Sequence, residues 1–253
     1  PMEKIKLGNP GRDEEIEQVL VLIKNLGKLE IPVWCYEWMP VFNWIRTDSK
    51  VLSRGGALVS GFRLNEVKDP YPNHESVDAD QLWENLKYFL SAVIPEAENA
   101  GVKLAMHPDD PPVPEVKGTP RIMCSIENFQ KLLDLYPSEM NGIALCQGNF
   151  TLMTDDLPAV IRKFGSQKKI FFVHFRDVQG NATDFIETFH DDGKTDMVEC
   201  MRSYQEIGYQ GICRPDHVPT MGDDNNENYG YSEIGRLFAI GYIKGVREAV
   251  YGS

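Results

Sequence analysis

Gly142–Val178 reads GIALCQGNFTLMTDDLPAVIRKFGSQKKIFFVHFRDV, and two short apolar runs in it bracket a segment with helical spacing. The runs are Gly142–Cys146 (GIALC) and Ile170–Phe175 (IFFVHF). Both are too short for helices and rich in residues that suit strands. Between them, 155–165 predicts a helix, with Asp155 and Asp156 where carboxylates offset the dipole of a helix start. A strand, a crossover helix and a second strand imply parallel pairing.

Outward from this unit the same alternation recurs. Further strands are predicted at Ile31–Tyr36 (IPVWCY), Val102–His107 (VKLAMH) and Gly211–His217 (GICRPDH). Further helices are predicted over 12–29, 79–100, 125–136, 195–208 and 232–250. In 79–100, Leu82, Leu86, Phe89, Leu90 and Val93 form a single buried stripe. The fold class is therefore α/β, of the (β/α)8 TIM-barrel type, in one domain over 1–253. A closed barrel needs eight strands, and five are legible. The chain opens on a helix, and the Gly/Pro-rich, polar stretch 49–77 reads as a loop. The expectation is a barrel lacking its N-terminal three strands, whose open edges favour a homo-oligomer.

Composition narrows the partners. The chain has 253 residues, 42% of them hydrophobic and 25% charged, ordinary for a soluble domain. Its net charge of -12 disfavours nucleic acid, and an anionic substrate would need local cations against that field. Five cysteines, an odd number without a CxxC pair, predict reduced thiols and a cytoplasmic location. The charged N-terminus lacks the apolar core of a signal peptide. No apolar run of about 18 residues occurs, so no membrane partner is expected.

Four predicted strands end on residues that can ligate a metal: His107, Cys146, His174 and Asp216, the last followed by His217. Any one alone is more often a buried core residue. Four on separate strand ends, which a parallel α/β fold gathers at one rim, point to a divalent metal site. Cys35 and Cys213 inside strands, and Cys124 and Cys200 in or near helices, read as core thiols. In His107–Pro112 (HPDDPP) three prolines stiffen a loop holding Asp109 and Asp110, candidate partners of a ligand. Arg176, next to Asp177, suits either a substrate carboxylate, gripped by its two-pronged guanidinium, or a structural ion pair, and Arg214 adds a cation beside Asp216. His190, in FHDDG, reads as a loop residue.

The segments CYEWMPVFNWIRTD (35–48), HPDDPP (107–112), LCQGN (145–149), FVHFRDV (172–178), FHDDGKTDM (189–197) and RPDHVP (214–219) together resemble the mannonate dehydratase family, from about Ile5 to Tyr251. The resemblance implies a xylose-isomerase-like barrel with a Mn(II) or Fe(II) ion on His107, Cys146, His174 and Asp216. It implies a hydro-lyase of hexuronate catabolism that converts D-mannonate, a small sugar acid, into 2-keto-3-deoxy-D-gluconate. The catalytic pair would be His217 and a tyrosine of the loop Asn228–Tyr231, with Tyr229 matching best and Tyr231 kept as the alternative. Substrate contacts would fall on Arg176, Asp109 and Arg214. Three earlier strands of the family have no counterpart here, and 49–77 is shorter than the insertion many members carry. A metal-dependent sugar isomerase or epimerase, or an inactive sugar-acid-binding fragment, are the alternatives.

Overall fold

A computed structural model describes residues 2–68 and 77–252. Along the chain run α1 (Glu3–Leu7), α2 (Arg12–Lys28), β1 (Val33–Tyr36), β2 (Asp48–Leu52), β3 (Leu58–Arg63), α3 (Ala79–Ala100) and β4 (Lys103–Met106). The short strands β5 (Glu115–Val116) and β6 (Thr119–Pro120) precede α4 (Ile126–Leu135), β7 (Asn141–Cys146), α5 (Gln147–Met153) and α6 (Leu157–Ser166). The chain continues through β8 (Ile170–Phe175), β9 (Val178–Asn181), β10 (Asp184–Glu187), α7 (Met197–Glu206), β11 (Ile212–Pro215) and α8 (Glu233–Tyr251). The five strands read from the sequence are β1, β4, β7, β8 and β11. Each of the six helices read from the sequence is present.

The fold divides into two compact units, 1–44 with 68–144 and 45–67 with 145–253. In the first, β1 and β4 pair in parallel from Val33↔Lys103 to Tyr36↔Met106, and β4 continues onto β7 from Leu104↔Asn141. The α3 stripe fills this core: Leu82, Leu86, Phe89, Leu90 and Val93 are fully buried. Asp78 caps α3 by accepting from the Gln81 N–H, and Gly101, at φ 69°, ends it. Gly27 of α2 is required by packing, because a Cβ there would lie 2.6 Å from the Ala100 carbonyl oxygen.

The second unit holds the parallel pair β8–β11, in register from Ile212↔Phe172 to Pro215↔Phe175. Asp156, Asp196 and Ser232 cap α6, α7 and α8 with side-chain oxygens. This unit also contains a four-stranded antiparallel sheet in the order β2-β3-β10-β9. Phe62, Val178 and Phe185 form its core, with Ile45, Val67 and Leu152 packed against it.

That sheet corrects the reading of 49–77 as loop. Its first part supplies β2 and β3, while 69–76 lies outside the described residues. β2 is half exposed and β3 carries Ser60 and Gly61, so neither shows the apolar run of a doubly covered strand. Besides β2, which is close in sequence, β3 pairs with β10, more than 100 residues away. Cys213 is a second correction: it is exposed, on β11, which among the described residues pairs with β8 on one side only. Cys200 is buried, and Cys35 and Cys124 are half-buried.

Candidate metal centre and acid–base site

Strand ends deliver three of the expected ligands to one place in the second unit. Cys146 is the last residue of β7, His174 the fifth of the six in β8, and Asp216 follows β11 directly. Each offers a ligand atom within 4.8 Å of the others. His174 Nδ1 lies 3.6 Å from Asp216 Oδ2, and the Cys146 Sγ 3.7 Å from the same oxygen. All three residues are buried. Burial alone would raise the Asp216 carboxyl, but His217, His174 and Arg176 outweigh it and hold the carboxyl well below the usual range. A thiol, an imidazole and an ionised carboxylate so placed fit a divalent transition metal.

His107 follows β4 in the first unit, half-buried. Its Nδ1 is 2.8 Å from the Pro108 carbonyl oxygen. A carbonyl only accepts, so Nδ1 carries the proton and the lone pair is on Nε2, the form in which a histidine ligates a metal.

Of the two roles open to Arg176, the contacts within the protein are those of a structural ion-pair residue. It is fully buried and engaged within the protein. Nε donates to Cys146 Sγ at 3.1 Å and lies 3.3 Å from Asp216 Oδ2. Nη2 donates to Asn149 Oδ1 at 2.7 Å, and Nη1 donates to Glu187. The guanidinium thus ties Cys146 and Asp216 to Asn149 and Glu187. Segment 145–149 is built around it. Asn149 supplies an acceptor, and Gly148 supplies clearance, since a Cβ there would fall 2.8 Å from Arg176 Cζ. Gly148→Ala is expected to push the guanidinium off Cys146 and cost about 1–3 kcal/mol by overpacking. Urea unfolding together with a metal titration checks this; unchanged stability and unchanged metal affinity would show that the cradle is slack.

Arg214 is the more accessible cation. Its side chain is 43% exposed, with Nη2 3.2 Å from Asp216 Oδ1 and Nε donating to the Pro215 carbonyl. Asp177 accepts from the backbone N–H groups of Val178 and Thr195 and from the Thr195 hydroxyl. Gly193 packs so closely on it that a Cβ would meet its Cγ at 2.2 Å. Asp177 therefore pins the loop that carries His190. His190 lies in a turn of that loop, as read from the sequence, but is fully buried, and burial lowers its pKa to about 4, which keeps the ring neutral.

His217 is also buried. Its Nε2 lies 3.1 Å from the Tyr231 hydroxyl, and the rings meet edge to face at 5.3 Å between centroids. Between the two candidate tyrosines, the hydroxyl that meets His217 is that of Tyr231; Tyr229 is half-buried two residues earlier. Gly230 comes close to the same imidazole, a Cβ there being 3.3 Å from His217 Cδ2. At the other end of the ring, Nδ1 sits 2.9 Å from Glu187 Oε1 and 3.1 Å from Arg46 Nη2. Sequence reasoning gave Glu187 and Arg46 no role. Arg46 lies inside a segment singled out above, and nothing local marks Glu187.

Asp109, expected at the substrate, is fully buried in the first unit. Its backbone N–H donates to the Met123 carbonyl, and its Oδ2 accepts from the Met123 N–H at 2.6 Å. This exchange anchors one end of the loop to the other. Burial raises its pKa from 3.8 to about 7, with Arg121, the Met123 N–H and His107 opposing and Glu37 assisting. The folded state therefore binds this proton more tightly than the unfolded chain, and stability falls as pH rises between those two values. Asp109→Asn is expected to remove that slope, on the order of 1 kcal/mol per pH unit. Unfolding midpoints measured across the window decide it; a variant with the parent's slope would assign the titration elsewhere.

The family model described as D-mannonate dehydratase (UxuA) matches residues 1–70 and 57–252. Mannonate dehydratase of Thermotoga neapolitana is 36% identical over 285 residues, covering 98% of this chain and 78% of its own length. Mannonate dehydratase 1 of Halalkalibacterium halodurans is 35% identical over 283 residues, covering 98% and 77%. The crystal structure of mannonate dehydratase from Streptococcus suis serotype 2 superposes with a TM-score of 0.91 at 36% identity, covering 98% of this chain and 73% of that one. A D-tagatose 3-epimerase-like protein, at 15% identity and a TM-score of 0.61, shares the fold alone, covering 95% and 71%. The fold is that of a partial xylose-isomerase-like TIM barrel.

Proposed function

The chain belongs to the mannonate dehydratase family, and from that premise we propose that it removes water from D-mannonate to give 2-keto-3-deoxy-D-gluconate. The observation that carries the reading is the convergence of Cys146, His174 and Asp216 beside an imidazole, His217, that meets a tyrosine hydroxyl. In this reading Cys146, His174, Asp216 and His107 hold a Mn(II) or Fe(II) ion; support for His107 is the resemblance and its Nε2 lone pair. Such an ion supplies Lewis acidity, drawing off the charge that develops when the proton beside the substrate carboxylate is removed.

The protein's own groups move the protons. The C2 hydrogen leaves as a proton, the C3–O bond breaks, and the departing hydroxyl takes a proton to become water. The enol left behind tautomerises to the 2-keto acid. His217 and Tyr231 divide the roles of base and acid, and Tyr231 is preferred to Tyr229 because its hydroxyl reaches Nε2. Arg176 holds the ligands, and Arg214, partly open to solvent, is assigned to the substrate anion. The odd number of cysteines, five without a CxxC pair, supports a reducing, cytoplasmic setting.

The test is turnover. With metal supplied, D-mannonate should yield a 2-keto-3-deoxy acid detectable by its colour reaction, and a chelator should abolish the yield. Loss of D-mannonate without that product would indicate an isomerase or epimerase. No consumption by the metal-loaded protein would leave a binding protein without turnover.

A further inference from the structure

We propose that Glu187 is the positioning residue of His217: it holds the imidazole with its proton on Nδ1, so that the Nε2 lone pair faces Tyr231. The catalytic part of this inference rests on the acid–base reading of His217. Glu187 ends β10 and is 2% exposed. The hairpin formed by β9 and β10 sets its place, with Glu187↔Val178 in register. One oxygen, Oε1, accepts from three groups, the guanidinium groups of Arg46 and Arg176 and the imidazole of His217.

The chemistry of these neighbours decides the tautomer. A carboxylate can only accept and a guanidinium can only donate. Were Nδ1 bare, its lone pair would face the Oε1 lone pairs at 2.9 Å with no proton between them. With the proton on Nδ1 that contact becomes a charge-assisted hydrogen bond. Arg46 then has Glu187 and the Ile45 carbonyl as acceptors, and does not need the ring. The opposite nitrogen, Nε2, is left to accept from the Tyr231 hydroxyl. Burial would raise the Glu187 carboxyl, but Arg176, His217 and Arg46 outweigh it and keep it ionised. Arg176 touches Glu187 through Nη1 and Cys146 through Nε. A single guanidinium thus fixes the position of the acid–base pair relative to the ligand cluster.

The experiment compares the parent protein with Glu187→Gln and Glu187→Asp. Two-bond proton–nitrogen spectra of the histidine rings, taken on zinc-loaded protein above the titration range of imidazole, read the tautomer directly. The parent is expected to show His217 protonated on Nδ1, and Glu187→Gln a mixture. In turnover of D-mannonate, Glu187→Gln should lower kcat about 10- to 100-fold, with KM and metal content unchanged. Glu187→Asp, which keeps the charge, should restore part of the loss. A parent spectrum with the proton on Nε2 overturns the proposal, as does a Glu187→Gln protein with parental kcat. The parent spectrum alone decides should a variant fail to fold. An Nδ1-protonated ring in a protein that does not dehydrate D-mannonate would refute the functional reading and leave the positioning intact.

Discussion

His217→Asn is expected to lower kcat for D-mannonate by about three orders of magnitude, within the range of a lost general acid–base group, while metal content stays at the parental level. The substitution isolates one nitrogen. The asparagine amide can still donate to Glu187 Oε1, where Nδ1 now sits at 2.9 Å, so the buried carboxylate keeps a partner. What disappears is Nε2, which faces Tyr231 at 3.1 Å. The three proposed ligands Cys146, His174 and Asp216 remain in place, so metal analysis of the purified variant separates the alternatives. Loss of metal in step with loss of rate would identify His217 as a ligand. Tyr231→Phe should reproduce most of the rate loss, and Tyr229→Phe little of it; the reverse pattern would return the catalytic role to Tyr229.

Asp216→Ala should be the most damaging change to the fold and the site together. Asp216 is buried beside two guanidinium groups, Arg176 Nε at 3.3 Å and Arg214 Nη2 at 3.2 Å, and the His174 imidazole, with Nδ1 at 3.6 Å. Removing one member of a buried ion cluster leaves its partners desolvated without compensation, at roughly 3–5 kcal/mol. Arg176 retains Glu187, which places the expectation near the lower end. Metal binding and turnover should both fall to background. Asp216→Asn keeps the shape without the charge, so a comparable loss of stability there assigns the cost to electrostatics and not to packing. The sign with pH follows from the depressed carboxyl. Its stabilisation is complete above the ordinary range near 3.8 and is lost as pH falls towards the lower folded value. Equilibrium unfolding of the parent should show that acid-side loss and Asp216→Ala should not. A variant as stable as the parent that still binds metal would remove Asp216 from the site.

How much of this was readable in advance depended on which signals are local. The strands at Asn141–Cys146 and Ile170–Phe175 stood out because parallel strands covered on both faces are continuous apolar runs. Helices stood out because each buries one stripe and most begin at a side-chain cap, as at Asp78, Ser125, Asp156, Asp196 and Ser232. The strand-end ligands were legible for the same reason: a histidine, cysteine or aspartate ending an apolar run interrupts the pattern. The antiparallel sheet was hidden because β2 is half exposed and because β3 finds β10 only after the chain has folded. The two roles of Arg176 stayed open in the sequence because its neighbours along the chain do not include Cys146, Asn149 or Glu187.

By itself, then, the amino-acid order determined the alternation of five parallel strands with helices and the donor residues at the strand ends, since burial and hydrophobic periodicity act over a few residues. Only tertiary structure decided that Glu187 grips His217, that Tyr231 reaches Nε2, that Arg176 meets Cys146 and Asp216, and that Cys213 lies open on an edge strand. Those are contacts between side chains far apart in sequence, whose hydrogen bonds and ion pairs depend on distances of a few ångströms that only the folded chain fixes.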